Sequence, residues 1–435
     1  MNTNLNAGRA LAESGPRRAH AMTPGASRAR PLTVLRAAAL FDGVSPALIA
    51  RPSVVVADGT IAAVHGPAGP LPADAHVVDL PGLTLLPGLV DTHLHLCFDS
   101  SDDPIGHLAE AGDDLLRERM AEAARRALRA GVTTVRDLGD RGYLALDLRD
   151  QRRPGMAGAL PAIVAAGPPI TTPGGHCHFL GGAARGEGAL RAAVRERAER
   201  GVDVIKVMAS GGNMTPGSLA HEPQFSVGSL RAIVDEAHGH GLPVTAHAHS
   251  ARSVAGAVAA GVDGIEHATF MSADGVDAPE AVIRAIVRQR IAVGYTVGLD
   301  PAHVGTVMPQ IASRMAALIE TRRRLYESGA MLVAGSDAGV SPAKPHDVLP
   351  FAPGDLATAG MSPAEILWAM TSRAAQACGL GHRKGRIAPG FDADILAIDG
   401  NPLDDLAAVR RLRAVYAAGR AVLPAPGSPA QIEVP

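Results

Sequence analysis

The sequence predicts an α/β protein built as a (β/α)8 (TIM) barrel, with a small β-sandwich domain beside it. From residue 88 onward, eight short apolar segments alternate with helix-compatible segments, which is the order of a parallel barrel. Before this stretch, short β-rich runs are separated by Gly or Asp-Gly, which is typical of hairpins. After it, strand character returns, so we expect the small domain to be assembled from both ends of the chain.

These patterns divide the 435 residues into three parts. Residues 1–31 are rich in Arg, Gly, Pro and Ala, which predicts a disordered tail. Residues 32–86 plus 388–425 are predicted to form the β-sandwich domain. Residues 87–387 are predicted to form the barrel, with Pro87-Gly88 at the crossing between the two.

The predicted barrel strands lie in segments that begin near residues 88, 131, 161, 202, 243, 262, 291 and 331. The intervening segments have helical composition and apolar periodicity. The predicted helices span 106–130, 188–201, 227–240, 251–260, 279–289 and 307–329.

The composition excludes several classes of protein. A formal net charge of −2 gives no electrostatic reason to expect nucleic acid or an anionic membrane as partner. No apolar run approaches 18 residues, so no membrane span is predicted. The three cysteines (Cys97, Cys177 and Cys378) are too scattered for a disulfide framework, which favours a reducing cytoplasm. The abundance of Ala, Gly, Val and Arg is typical of a GC-rich bacterial genome.

Ionisable side chains recur where the predicted strands end, and this is the most informative feature of the sequence. A single strand histidine is usually a core residue, a strand lysine usually extends to solvent, and Asp before Ala-Gly usually caps a turn. Carboxyl ends of barrel strands converge on one site, however, so the recurrence favours a shared metal centre. The side chains are His93, His95, Lys206, His247, His249, His267 and Asp337.

The chemistry of these residues is consistent with that reading. Imidazole nitrogens and carboxylates are the usual donors for Zn²⁺ and similar divalent ions. An ammonium would be repelled by metal ions, but Lys206 carboxylated by CO₂ would offer two oxygens able to bridge two cations. Two such cations can share a hydroxide that is nucleophilic at neutral pH.

The motifs "PGLVDTHLHL", "VIKVMASGG", "TAHAHS", "GIEHATF" and "AGSDAG" resemble the amidohydrolase superfamily. The segment "TTPGGHCHFLGG" is similar to the imidazolonepropionase-related, Xaa-Pro dipeptidase-like branch. The resemblance implies two divalent metal ions, with zinc as the expected ion, and a CO₂-derived carbamate on Lys206 as the bridge. It implies that the more buried ion is bound by His93, His95 and Asp337, and the more exposed ion by His247 and His267.

The implied reaction is hydrolysis of a C–N bond in a small molecule such as an N-acyl amino acid or an Xaa-Pro dipeptide. A bridging hydroxide would attack the carbonyl, and Asp337 would act as general base and then as general acid. His176 is the expected residue for polarising the carbonyl or holding a carboxylate. His249 is a second candidate for contact with the substrate. Oligomers are common in this superfamily, so we expect a homo-oligomer.

Three alternatives remain open at this stage. A cyclic amidase of imidazolonepropionase or hydantoinase type is not separated from an amide or dipeptide hydrolase. A mononuclear-metal deaminase is less favoured, because Ser250 stands where those enzymes place a glutamate and because Lys206 is present. A non-enzymatic relative would lose metal ligands, whereas all six expected positions are filled.

Five further residues are given lesser roles. Cys97 and Cys177 are expected to pack rather than to bind metal, and Asp91 to support a ligand histidine. Lys384, together with Arg386, is expected to be solvated surface charge.

Overall fold

The computed structural model describes residues 32–67, 69–151, 160–306 and 312–423. The residues in these ranges form one compact unit. The predicted tail at 1–31 lies outside the described residues, as do residues 307–311 of the predicted helix at 307–329.

Sixteen strands and eleven α-helices make up the regular structure of the described ranges. The strands are β1 (Thr33–Leu40), β2 (Ile49–Ala50), β3 (Ser53–Ala57), β4 (Thr60–His65), β5 (His76–Pro87), β6 (Leu89–Leu94), β7 (Val132–Asp137), β8 (Ala162–Ala165), β9 (Ile205–Met208), β10 (Val244–Ser250), β11 (Gly264–Met271), β12 (Ala292–Thr296), β13 (Met331–Gly335), β14 (Ile395–Asp399), β15 (Leu412–Ala417) and β16 (Arg420–Leu423). The helices are α1 (Pro104–Glu110), α2 (Asp113–Arg129), α3 (Leu144–Asp150), α4 (Glu187–Arg200), α5 (Val227–Gly239), α6 (Ala251–Ala260), α7 (Glu280–Gln289), α8 (Met315–Glu327), α9 (Ala352–Ala357), α10 (Pro363–Met370) and α11 (Ser372–Ala377).

An eight-stranded mixed sheet combines the first and last segments of the described chain. Its order is β16-β15-β14-β5-β1-β3-β4, with β2 on β1. The β3–β4 hairpin turns at Asp58 and Gly59, both with positive φ, as the Asp-Gly dipeptide predicts. β14 returns from the C-terminal segment to lie antiparallel to β5, with Ile395 opposite Pro87. Segments near both ends of the described chain therefore contribute strands to one sheet.

Eight parallel strands, β6 to β13, follow one another along the chain as the sequence predicts. They form a five-stranded sheet in the order β13-β12-β11-β10-β9 and a three-stranded sheet in the order β6-β7-β8. Isolated parallel bridges join Leu94 to Ala338 and Ile170 to Val207, at the edges of these two sheets. The fold is thus α/β, with parallel strands whose carboxyl ends share one side.

The helices follow the predicted positions with one main exception. The α5, α6 and α7 bounds agree with the predictions within one residue. The predicted helix at 106–130 is instead two helices, because Gly112 has extended backbone and begins α2. Between residues 32 and 423, leaving aside the ranges not described, no helix is long and apolar enough to cross a membrane.

The expectation that Lys384 is solvated surface charge is wrong. Its side chain is buried, its Nζ lies 2.9 Å from Asp392 Oδ2, and it also contacts Asp394 Oδ2. Asp394 anchors this pair to the junction of the sheets, since its carbonyl accepts a hydrogen bond from Gly88 N. Arg386 is half-buried, with its guanidinium 5.2 Å from the centroid of the Phe391 ring. Lys384 thus belongs to the packing between the mixed sheet and the parallel strands, and Arg386 packs on an aromatic ring.

Candidate metal centre

The residues that the sequence singles out converge at the carboxyl ends of the parallel strands. The placement follows from strand geometry, because alternate residues of a strand share a face. His93 lies in β6 and His95 directly after it, Lys206 in β9, His247 and His249 in β10, His267 in β11, and Asp337 two residues after β13.

His93, His95 and Asp337 form the first group of candidate metal donors. The Nε2 atoms of His93 and His95 each lie 3.5 Å from Asp337 Oδ1. Both histidines are buried, and the three side chains each offer one donor atom to a common point. These are the three residues that the family resemblance assigns to the more buried ion.

His247, His249 and His267 form the second group. Their donor atoms lie within 4.8 Å of one another. The ring centroids of His247 and His267 are 4.6 Å apart, and those of His249 and His267 are 4.3 Å apart. His249, expected only as a substrate contact, is therefore as close to His267 as His247 is. The rings of His93 and His267, 5.1 Å apart, bring the two groups together.

Each of the four histidines expected to bind metal has one ring nitrogen engaged by the protein. Such a contact fixes the ring orientation and leaves the other nitrogen free for a metal ion. The contacts are His93 Nδ1 to Glu266 Oε2 at 3.1 Å, His95 Nδ1 to Gly139 O at 3.0 Å, His247 Nε2 to Gly211 O at 3.0 Å, and His267 Nδ1 to Thr296 Oγ1 at 3.3 Å.

Glu266 is a buried acid that sequence reasoning missed. It accepts hydrogen bonds from Arg136 Nη2 at 2.9 Å and from Thr245 Oγ1 at 2.6 Å, besides its contact with His93. Burial alone would raise its pKa, but Arg136 and His93 hold the pKa well below its usual value. Glu266 thus keeps a negative charge behind the His93 ring. The sequence feature that could have indicated Glu266 is its position as an acid within the otherwise largely apolar strand "GIEHATF".

Asp91 supports the centre through the backbone rather than through an imidazole ring. Its Oδ1 accepts hydrogen bonds from Ser336 N at 2.9 Å and from His93 N at 3.2 Å. Its Oδ2 accepts one from the Ser336 hydroxyl. Asp91 therefore ties the strand that carries His93 to the segment that carries Asp337. Burial raises its pKa to about 6.

The electrostatics of the centre suit metal binding, because a metal ion requires neutral imidazole and ionised carboxylate donors. Burial, aided by the charge of Lys206, lowers the pKa of His93 to about 4. Burial also lowers the pKa of His247 and of His267 well below the usual value. Burial would raise the pKa of Asp337, but His93 and His95 hold it below its usual value. The donor set is ready for a cation at neutral pH.

Lys206 is fully buried, and its register places it beside Thr245 of β10. Burial lowers its pKa to about 8, although Glu266 and Asp337 act in the opposite direction. At pH 7 about a tenth of the side chain is then the uncharged amine, which is the form that reacts with CO₂.

Two of the candidate ligands have strained backbones. His267 has φ of +68° and Asp337 has φ of +58°, a region that side chains other than glycine rarely adopt. Such conformations cost on the order of 1–3 kcal/mol and cluster at functional sites. The positive φ angles lie within β11 at His267 and two residues after β13 at Asp337.

His176 lies in the segment between β8 and α4, with its ring centroid 4.8 Å from that of His247. It is buried, and its Nδ1 has no hydrogen-bond partner among the described residues. Burial lowers its pKa to about 3, so the ring is neutral. The structure therefore places this predicted substrate residue beside the second group of histidines.

The two cysteines near the centre are buried and free. The Cys97 thiol lies 3.4 Å from Gly139 O, and burial raises the pKa of the Cys177 thiol to about 12. Neither Cys97 nor Cys177 belongs to either donor group found among the described residues, consistent with a packing role.

Comparison with known proteins decides the family. The sequence profile of the amidohydrolase family matches residues 84–422. The chain belongs to the amidohydrolase family. It is accordingly a hydrolase acting on C–N bonds. The resemblance inferred from the motifs is confirmed.

Among the relatives, an ochratoxinase from Aspergillus niger is 28% identical over 375 residues, covering 76% of this chain and 73% of its own length. An imidazolonepropionase from Salinispora tropica is 26% identical over 385 residues, covering 80% of this chain and 85% of its own. Among solved structures, a Xaa-Pro dipeptidase with methionine bound in its active site superposes with a TM-score of 0.78 at 27% identity, covering 90% of this chain and all of that one.

Proposed function

We propose that this amidohydrolase is a binuclear metal enzyme that cleaves the amide bond of an N-acyl amino acid or of an Xaa-Pro-type dipeptide. One observation carries the proposal. The two groups of candidate donors lie next to each other at the carboxyl ends of the parallel strands, and Lys206 is buried beside them. Neither group alone requires two metal ions. Both together, joined through the close rings of His93 and His267, favour a pair of ions.

In this proposal His93, His95 and Asp337 hold the more buried ion, and His247 and His267 hold the more exposed one. Lys206 would react as the free amine with CO₂, forming an N–C bond and releasing a proton, and the carbamate would supply two oxygens as donors for the two ions. Zinc is the expected ion, because nitrogen-rich donor sets of this kind suit it. When bound, two divalent cations lower the pKa of a water molecule and polarise the substrate carbonyl.

The chain's own residues supply the proton transfers and the orientation of the substrate. Asp337, held ionised by the two neighbouring histidines, accepts a proton from water and delivers it to the departing amide nitrogen. His176 is neutral and lies beside His247, so its N–H can donate to the carbonyl oxygen of the substrate. His249 contacts the substrate next to it. Because its donor atom lies within 4.8 Å of those of His247 and His267, His249 is also an alternative ligand for the more exposed ion.

The relatives support this substrate class. The related Xaa-Pro dipeptidase structure binds methionine, an amino acid, in its active site. The second candidate is cyclic-amide hydrolysis, favoured by the imidazolonepropionase relative that is aligned over most of its length. A deaminase is less favoured, because Ser250, at the position where deaminases place a glutamate, instead caps α6 through a hydrogen bond from Ser253 N.

We further propose that the two parallel sheets close into one eight-stranded barrel, and that the mixed sheet belongs to a β-sandwich domain formed by 32–86 and 388–425. The bridges from Leu94 to Ala338 and from Ile170 to Val207 support closure, because they lie at the sheet edges that would have to meet. The cytoplasmic location and the homo-oligomer remain predictions.

Metal analysis and a substrate screen test the function. The protein is purified from zinc-supplemented medium with bicarbonate, and its metal content is measured by plasma mass spectrometry. N-acyl amino acids and Xaa-Pro dipeptides are then screened, with cyclic amides as the comparison set. We expect close to two metal ions per chain and hydrolysis in the first set. Fewer than about one ion per chain would contradict the binuclear centre, and turnover of cyclic amides alone would favour the second candidate.

A further inference from the structure

The His176 ring differs from the other histidines of the centre in how it is held. Each of the four proposed ligands has a ring nitrogen engaged by the protein. Neither ring nitrogen of His176 makes a hydrogen bond to a described residue, and Nδ1 is buried. No hydrogen bond to a described residue orients this ring, so its position depends on the backbone that carries it and on packing against His247 and Gly212.

That backbone is held by the side chain of Gln224, in the segment between β9 and α5. Gln224 Oε1 accepts a hydrogen bond from His176 N at 2.6 Å. Its Nε2 donates to Met208 O at 2.7 Å and to Thr171 Oγ1 at 3.3 Å. One amide thus connects the end of β9 with both ends of the segment 171–176.

Two further contacts from the segment 209–226 reinforce the connection. Thr215 Oγ1 accepts a hydrogen bond from Cys177 N at 2.9 Å, and Cys177 has the left-handed φ of +56°. Gly212 lies against the ring itself, since a Cβ on it would stand 2.4 Å from His176 Nε2. The same segment supplies Gly211 O, which orients His247. The segment 209–226 therefore helps to orient both His176, the proposed substrate-binding residue, and His247, a proposed metal ligand.

We propose that Gln224 is the positioning residue of His176. The inference rests on the role proposed above for His176 and adds the means by which that ring is aimed. The Gln224 side-chain oxygen accepts from the His176 backbone N–H, and its NH₂ group donates to Met208 O and Thr171 Oγ1. These bonds tie the His176 backbone to the end of β9. Because the His176 ring makes no hydrogen bond to a described residue, loss of the Gln224 amide allows the ring to shift with its backbone. A displacement of about 1 Å at a reacting centre can cost about 100-fold in rate.

A double-mutant cycle tests the coupling. Gln224→Met removes all three hydrogen bonds with little change of volume, and His176→Ala removes the ring. Gln289→Met, at the exposed end of α7, is the matched control. The probes are N-acetyl-L-methionine and the dipeptide Met-Pro. We expect Gln224→Met to lower kcat by about 10- to 100-fold, with KM and metal content little changed. In the His176→Ala background the same substitution should cost less than about threefold.

Hydrogen exchange provides a readout that needs no substrate. In Gln224→Met the amide of His176 loses its acceptor, so peptides covering 170–181 should exchange at least about tenfold faster. Gln224→Glu retains an oxygen acceptor for that amide and should preserve most of the protection, whereas Gln289→Met should leave it unchanged.

Each outcome decides a separate point. Additive losses in the cycle, or unchanged exchange in Gln224→Met, would overturn the positioning role. Wild-type activity in His176→Ala would overturn the proposed role of His176 instead, with the exchange data still deciding whether Gln224 holds the segment. If neither probe is hydrolysed, the proposed substrate class fails, and faster exchange confined to 170–181 would still support the hold of Gln224 on His176.

Discussion

Two buried lysines of this chain, Lys206 and Lys384, have opposite surroundings. Lys384 Nζ lies 2.9 Å from Asp392 Oδ2 and also contacts Asp394. Within the described residues, no carboxylate oxygen lies within 4.0 Å of Lys206 Nζ. Lys384 joins the mixed sheet to the start of the parallel strands, whereas Lys206 lies among candidate metal ligands.

The difference shows that burial of a lysine does not by itself indicate chemistry. Removing an ammonium from water costs several kcal/mol unless close acids offset the cost. Asp392 and Asp394 provide that compensation for Lys384. Lys206 has no acid within ion-pair distance, so burial lowers its pKa to about 8 and increases the fraction of uncharged amine. A buried lysine without an ion-pair partner is the one to suspect of reactivity.

The largest expected effect comes from Lys206→Ala. Without the amine no carbamate can form, so the pair of ions loses its bridge and kcat should fall by on the order of 1,000-fold or more. Metal content per chain and turnover of the best substrate are measured together, with circular dichroism as the check on folding. A folded variant that keeps two metal ions and wild-type turnover would refute the carbamate.

Lys384→Met should act on stability and leave the chemistry intact. It leaves Asp394 buried without its cation, whereas Asp392 keeps Arg383 Nη2 at 2.9 Å. The free energy of unfolding should therefore fall by about 3 kcal/mol, the lower end of the range for a broken buried pair. Urea denaturation measures this loss, and kcat of the folded variant should match the wild type. A fall in kcat comparable to that of Lys206→Ala would show that the two lysines do not differ as described.

The smallest effect, a pH dependence, sharpens the comparison. Below its pKa of about 8, Lys206 is mainly ammonium, and the fraction of free amine rises about tenfold per pH unit. At a fixed concentration of dissolved CO₂, reactivation of metal-free protein by CO₂ and zinc should therefore accelerate with pH up to about 8 and then level off. A reactivation rate independent of pH between 6 and 8 would contradict a titrating amine as the reacting group.

The sequence predicted the order of the strands and the identity of the polar residues at their ends, because both depend on local pattern. Strand and helix periodicity and an alternating HxH are readable within a few residues. This is why the eight parallel strands, the α6 bounds at 251–260 and the convergence of His93 and His95 on Asp337 agree with the prediction.

The supporting residues could not be predicted in the same way. Glu266 lies beside His267 in sequence, yet its contact is with His93, 173 residues away. Gln224 reaches His176 across 48 residues. The apolar strand around Glu266 indicates that this acid is unusual, but nothing local identifies the partner of either side chain. Their partners become known only when strands distant in the chain are placed side by side.

The sequence by itself therefore determined the family, the α/β order and the set of candidate donors, all of which follow from residue types at short spacings. Only the tertiary structure decided that Lys384 is paired, that Asp91 acts through the backbone and that His249 joins the second donor group. The physical reason is that desolvation and hydrogen bonding depend on which groups meet in space, and these meetings are set by long-range strand pairing.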